Sequence, residues 1–398
     1  MVKILDTTLR EGEQTPGVYF DPHIKLKVVE LLDQIGVDII EIGYPCVSRD
    51  IQRAITRIAP MGFSARIGAH SRSLEADVKM AVDYNISFLG LFFCVSDERL
   101  NQYSKTLTQA VDQIAGVISY ARREKPELTI RFTPEDTVRS QWNNVTTVVK
   151  EAVRAGADII SIADTTGYMI PGSKRNMYDY VKKIKDNLAA AELFPEIAVH
   201  CHNDRGLALA NALDGYRGGA GIIDASVLGL GERAGIVDLA TLLAVLNADF
   251  HLEGKWKLEL LPELYQLVSK FSRIPIPDNF PIMGRNVFTH CAGVHSHAAI
   301  KNAYHYQSLE PQQFGRTSHI CLDHMSGISA VNFLLHQIGE TDIESDLARQ
   351  VLETIKIVGQ SGRVVDVDEL RYIVRLLKND RDCNHTSNLQ HLNSPPSF

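Results

Sequence analysis

The chain has 398 residues, 45% of them apolar and 22% charged, with a formal net charge of −7. That length exceeds one ordinary domain and suits a barrel of roughly 250 residues with an appended region. No apolar run approaches the ~20 residues of a membrane span, and an acidic balance without a basic run argues against a dedicated nucleic-acid surface.

The N-terminus runs straight into Val2-Lys3-Ile4-Leu5-Asp6. It carries none of the basic region, apolar stretch and cleavage site of a signal peptide, so a cytoplasmic address is expected. Eight short apolar or β-branched runs follow one another: 2–9, 38–44, 65–70, 88–94, 129–136, 159–164, 197–202 and 222–230. Between them lie segments of helical period. Leu26, Val29, Leu32 and Ile35 mark one over 24–35, and Val149, Ala152 and Val153 another over 145–155. Gly36, Gly156 and Gly221 each fall just before a strand, as helix-ending glycines do. This alternation predicts an α/β fold, a (β/α)8 TIM barrel of eight parallel strands over residues 1–265.

The pattern then changes. Pro275, Pro277 and Pro281 disfavour helix, so residues 266–282 are expected to be a linker. Residues 283–380 return to helical spacing, for example over 328–338 and 346–358, in a smaller α-rich C-terminal region with its own histidine cluster. Residues 381–398 are polar and short of aliphatics, the composition of a disordered tail. The cysteines Cys46, Cys94, Cys201, Cys291, Cys321 and Cys383 are scattered without a CxxC pair, so reduced thiols are expected.

Two segments at strand ends carry chemistry: Leu9-Arg10-Glu11-Gly12-Glu13-Gln14 and His200-Cys201-His202. Histidines two apart on a strand share a face. With Glu11 from another strand they would leave a divalent ion with open positions, the condition for catalysis rather than structure. Asn203, Asp204 and Glu41 are candidates for holding the imidazoles and Arg10 in place. The plainer reading makes His200 and His202 ordinary strand-end histidines and Glu11 a surface acid. The conjunction of the two segments favours the metal.

The stretches Asp6-Thr7-Thr8-Leu9-Arg10-Glu11-Gly12-Glu13-Gln14-Thr15-Pro16-Gly17, His200-Cys201-His202-Asn203-Asp204 and Gly229-Leu230-Gly231-Glu232-Arg233-Ala234-Gly235 resemble the homocitrate synthase and isopropylmalate synthase family of metallolyase-type barrels. The resemblance spans roughly 2–375. It implies an acyltransferase of amino-acid biosynthesis that condenses acetyl-CoA with a 2-oxo acid and releases CoA. Carried over by motif, Glu11, His200 and His202 bind the metal, which is zinc, manganese or magnesium. Arg10 lies beside the substrate carbonyl with Glu41 behind it. Glu135 and Glu232 match carboxylates near the acetyl group. His295, in Gly293-Val294-His295, matches the base, with Tyr306 eleven positions on. In the family that segment reaches the partner subunit's site, which implies a homodimer with exchanged C-terminal regions.

Arg131, Thr133 and Thr165 resemble the set that holds the carboxylates of 2-oxoglutarate in homocitrate synthases, and a second cation suits a dicarboxylate. Glu11 in place of aspartate and Ile236 in place of asparagine lean the same way. Ala198 and Glu41-Ile42-Gly43-Tyr44-Pro45 lean towards an isopropylmalate- or citramalate-type acceptor pocket. His70 and Arg72 lie where family members select the acceptor side chain. Phe92 and Phe93 read as barrel core, with an aromatic wall for the acceptor as the alternative. The same barrel, metal and arginine would also serve carbon–carbon cleavage, as in hydroxymethylglutaryl-CoA lyase, or survive in a non-catalytic binding protein. The His295 segment and the C-terminal region resemble the synthases rather than the lyase, and the intact set of Arg10, Glu11, His200, His202 and His295 argues against a non-catalytic protein.

Overall fold

The computed structural model describes residues 2–392. Eight strands, β1 Lys3–Asp6, β2 Ile39–Glu41, β3 Arg66–Arg72, β4 Phe88–Cys94, β5 Thr129–Glu135, β6 Ile159–Asp164, β7 Glu196–Cys201 and β8 Ile222–Ala225, pair in parallel in chain order. β1 also pairs with β8, which closes the sheet. Every crossover carries at least one helix. The architecture is therefore the TIM barrel expected from the sequence, followed by an α-rich region. The chain divides into two compact units: residues up to 276 with 281–283, and 277–280 with the residues from 284 on.

Local chemistry explains where the elements stop. Asp21 accepts from the backbone N–H groups of His23 and Ile24 at 2.8 and 3.0 Å, and Pro22 occupies the first turn, so the first helix begins at Pro22 rather than at 24. Gly36 ends it in the left-handed conformation at φ 100°, and Gly156 stands at φ 113° after the helix Trp142–Arg154. Gly221 has a different role from the one expected. The left-handed residue after the helix Ala208–Arg217 is Gly219, while Gly221 N–H donates to the Ile197 carbonyl at 2.8 Å. β1 and β8 are shorter than their apolar runs. Arg10 and Glu11 N–H both turn back onto the Thr7 carbonyl, and the turn after β8 holds Leu228 at φ 61°.

Strand alternation stacks the barrel interior in tiers. Leu5, Ile39, Phe88, Ile159, Ala198 and Ile222 form one apolar tier. Two residues further along their strands the same faces carry Thr7, Glu41, Gly90, Ser161, His200 and Asp224, with His70 and Arg131 in register with Gly90. All the side chains of this second tier are buried. It is therefore a polar layer, which lies towards the carboxyl ends of the strands.

The second unit has two short parallel strands, β9 Thr289–His290 and β10 His319–Ile320. Its helices Ile328–Gln337, Ser345–Gly359 and Val367–Leu392 bury Val331, Leu335, Val351, Ile355 and Leu370 in a core of their own. The last helix runs through 381–392, where composition alone suggests a disordered tail; 393–398 lie outside the described residues. Among the described residues, no helix is long and apolar enough to cross a membrane.

Candidate active site

Glu11, just past β1, meets His200 at the end of β7 and His202 just past it inside the barrel mouth, and their ligand atoms all lie within 4.8 Å of one another. The Nε2 atoms of His200 and His202 face each other at 3.3 Å, and Glu11 Oε1 stands 4.0 Å from His202 Nε2. All three side chains are buried. His200 Nδ1 lies 2.9 Å from Asp224 Oδ2. A carboxylate only accepts, so the His200 proton is on Nδ1 and the Nε2 lone pair is left for an ion. Burial, followed by the neighbouring His200, lowers the pKa of His202 to about 4, so that imidazole is neutral as a ligand must be. Burial would push the Glu11 carboxyl up, but Arg10 and the two histidines outweigh it and hold it below the ordinary value. One carboxylate and two imidazoles converging on a small volume fit a divalent ion.

Arg10 is fixed beside this cluster. Its Nε donates to Glu41 Oε2 at 2.8 Å and its Nη1 donates to Glu11. Glu41, fully buried at the end of β2, also accepts from Thr7 Oγ1 at 2.9 Å and pairs with His70 Nδ1 at 2.9 Å. Beneath these groups Lys25 ties the two loops together. Its ammonium donates to the Leu9 carbonyl at 2.9 Å, the Ile42 carbonyl at 2.7 Å and Glu13 Oε2 at 2.6 Å. Leu9 immediately precedes Arg10 and Ile42 immediately follows Glu41, so one buried cation sets both backbones.

The cluster opens into a cavity of about 330 Å³. Its wall includes Arg10, His70, Arg131, Thr133, Glu135, Thr165 and Glu232, all singled out from the sequence. Arg131 is buried, with Nη1 donating to Asp224 Oδ1 at 2.8 Å; its Nε and the Thr133 hydroxyl are buried without a partner. Thr165 Oγ1 accepts from Asp136 N–H at 2.9 Å. Burial raises the Glu135 carboxyl above its ordinary value, against the pull of Arg99 at 3.9 Å. The Glu232 backbone N–H donates to Glu11 at 3.2 Å. Phe92 belongs to this wall, stacked on His70 with centroids 5.4 Å apart and with Tyr44 edge-on to both; Phe93 turns away to Tyr103. The barrel-core reading of Phe92 is thus corrected.

Other expectations separate. Arg72 is not part of the cavity wall: at the end of β3 its guanidinium is drawn to Asp77, 2.6 Å away on the next helix. Asn203 and Asp204 do not hold the imidazoles. Asn203 accepts from Ala208 N–H at 3.2 Å, and Asp204 is paired with Arg233 at 2.7 Å. The carboxylate on His200 is Asp224, which sequence reasoning passed over. Its signal was an acid inside Ile222-Ile223-Asp224-Ala225, where a buried strand demands a partner for it. His295 and Tyr306 belong to the second unit, with ring centroids 4.2 Å apart.

Comparison with known proteins defines the family. The HMGL-like family profile matches residues 1–268, which defines the class of the barrel. The profile described as homocitrate synthase post-HMGL domain-like matches 282–363. A protein of Pyrococcus horikoshii named homocitrate synthase is 42% identical over 342 residues, 86% of this chain and 91% of the relative. Another of that name, from Saccharolobus islandicus, is 39% identical over 362 residues, 89% of this chain and 76% of its own length. The chain belongs to the homocitrate synthase family. Solved structures titled HMG-CoA lyase, from Bacillus subtilis and Brucella melitensis, are both 21% identical with TM-scores of 0.59 and 0.56. They cover 69% and 68% of this chain, and 95% and 99% of their own chains are matched, a likeness of fold alone.

Proposed function

We propose that this chain condenses acetyl-CoA with 2-oxoglutarate, forming homocitrate and releasing CoA. The observation that carries the acceptor is the buried Arg131, with its unpartnered Nε, next to the unpartnered Thr133 hydroxyl on the wall of the cavity that holds the Glu11, His200 and His202 cluster. Unpaired buried polar atoms are costly, and a carboxylate from a ligand would satisfy both. Two relatives that are 39–42% identical carry the matching name.

A divalent ion held by Glu11, His200 and His202 would polarise the oxo group of the acceptor. Arg10, aimed by Glu41, adds a fixed positive charge where the oxo oxygen gains negative charge during carbon–carbon bond formation. Arg131, Thr133 and Thr165 orient the acceptor. His295, with Tyr306 against its ring, removes a methyl proton from the acetyl group, and the resulting carbanion attacks the oxo carbon. Water then cleaves the thioester, giving the new carboxylate and the CoA thiol. In this reading the chain is a homodimer in which the second unit serves the partner's barrel. Free Cys46, Cys94, Cys201, Cys291 and Cys321 suit a reducing, cytoplasmic setting.

The test is release of CoA thiol from acetyl-CoA by metal-loaded protein with 2-oxoglutarate, 2-oxoisovalerate, pyruvate, glyoxylate and phenylpyruvate. Selective release with 2-oxoglutarate supports the proposal. Selectivity for phenylpyruvate would instead assign the acceptor side chain to the ring wall of Tyr44, His70 and Phe92.

A further inference from the structure

Asp224 touches both His200 of the metal cluster and Arg131 of the cavity wall. It lies on β8, fully buried, and divides its oxygens between Oδ2 on His200 Nδ1 at 2.9 Å and Oδ1 on Arg131 Nη1 at 2.8 Å. β8 and β5 are separated in the barrel by β6 and β7, so the Arg131 pair reaches across the lumen rather than along the sheet. We propose that Asp224 is a positioning residue shared by the metal cluster and the acceptor end: one carboxylate sets the His200 imidazole and the Arg131 guanidinium together, fixing the spacing between ion and acceptor carboxylate. The acceptor half of this proposal rests on the reading of Arg131 given above; the metal half does not.

The chemistry of the pair leaves little slack. His200 and Arg131 both present N–H, and only an acceptor on each side satisfies both. Each Asp224 oxygen faces one of these donors, Oδ2 on His200 Nδ1 and Oδ1 on Arg131 Nη1, so both oxygens are engaged as acceptors. Asparagine has the same shape but one oxygen and one NH₂. In Asp224→Asn the NH₂ must face a donor, so either His200 or Arg131 is pushed from its position. With Nη1 spent on Asp224, Arg131 keeps its unpartnered Nε for the acceptor, and the orientation of that fork is set by the carboxylate behind it.

The experiment titrates Mn²⁺ alone into apo wild type and apo Asp224→Asn by calorimetry, then measures KM for both substrates at saturating Mn²⁺. The acceptor is whichever acid the wild type turns over. Mn²⁺ binding should weaken about 10–100-fold, the usual effect of removing an outer carboxylate from a ligating histidine. KM for the acceptor should rise about tenfold while KM for acetyl-CoA stays within twofold, a split that general loosening of the barrel would not give. Unchanged Mn²⁺ affinity or unchanged acceptor KM overturns the shared role. Failure of the wild type with every acid would sink the proposed reaction instead, and the Mn²⁺ result would still decide whether Asp224 sets the metal cluster. Should Asp224→Asn not fold, Arg131→Met carries the test. The downfield proton resonance of the His200 ring N–H, assigned by its loss in His200→Gln, should move although Arg131 touches no metal ligand. An unmoved resonance overturns the proposal.

Discussion

Gly90 leaves the space that His70 fills: a β-carbon there would collide with His70 Nδ1 and stand 2.9 Å from Glu41 Oε1. Gly90→Ala should therefore push both groups and, through Glu41, shift Arg10. A displacement of about 1 Å costs on the order of 10²-fold in rate, so kcat/KM should fall by about that factor while Mn²⁺ binding persists. Steady-state kinetics beside a metal titration check it; wild-type kcat/KM would remove His70 and Glu41 from the positioning of Arg10.

Glu11→Ala or His202→Ala should abolish turnover with the fold retained, because each removes one of the three proposed ligands and leaves the site open. Circular dichroism should be unchanged and Mn²⁺ uptake lost. Full activity in either variant would withdraw that ligand.

His295→Ala should behave differently. Metal uptake should match the wild type while CoA release falls by about 10²–10⁴-fold, the usual contribution of a general base. Retained CoA release would assign the proton to another group.

Lys25→Met tests the fastening under the site. It strands the Leu9 and Ile42 carbonyls and the Glu13 carboxylate. Breaking a buried pair of this kind costs about 3–5 kcal/mol. The midpoint of urea unfolding should drop accordingly, and an unmoved midpoint would deny Lys25 that part.

Asp6 gives the fold a pH dependence. Burial raises its carboxyl to about 7, although the N–H and hydroxyl of Thr8, each 2.9 Å away, pull it down. With the folded value above the ordinary 3.8, its stabilising contribution is complete below about pH 4 and is lost as pH rises through about 7. The melting temperature of wild type relative to Asp6→Asn should therefore fall between about pH 5 and pH 8. A constant difference across that range would show that Asp6 does not titrate there.

Much of the barrel was legible because its strands are buried on both faces and so appear as continuous apolar runs. The Glu11, His200 and His202 cluster was legible because period-two spacing fixes which side chains share a face. Asp224, Gly90 and Lys25 were not, since their roles depend on partners tens of residues away in sequence: Asp224 on Arg131, Gly90 on His70, Lys25 on Leu9 and Ile42. The direction of Arg72 likewise turns on Asp77, whose position follows from the next helix rather than from β3.

The polar tier of the barrel has an implication for anyone engineering this chain. Buried ion pairs add little net stability compared with well-packed hydrocarbon of similar volume, so Asp224, Arg131 and His200 sit where aliphatic side chains, introduced at all three together, would strengthen the protein. A library selected for heat resistance alone should drift towards such residues at these positions. Its hardiest members would be sound barrels that have stopped turning over.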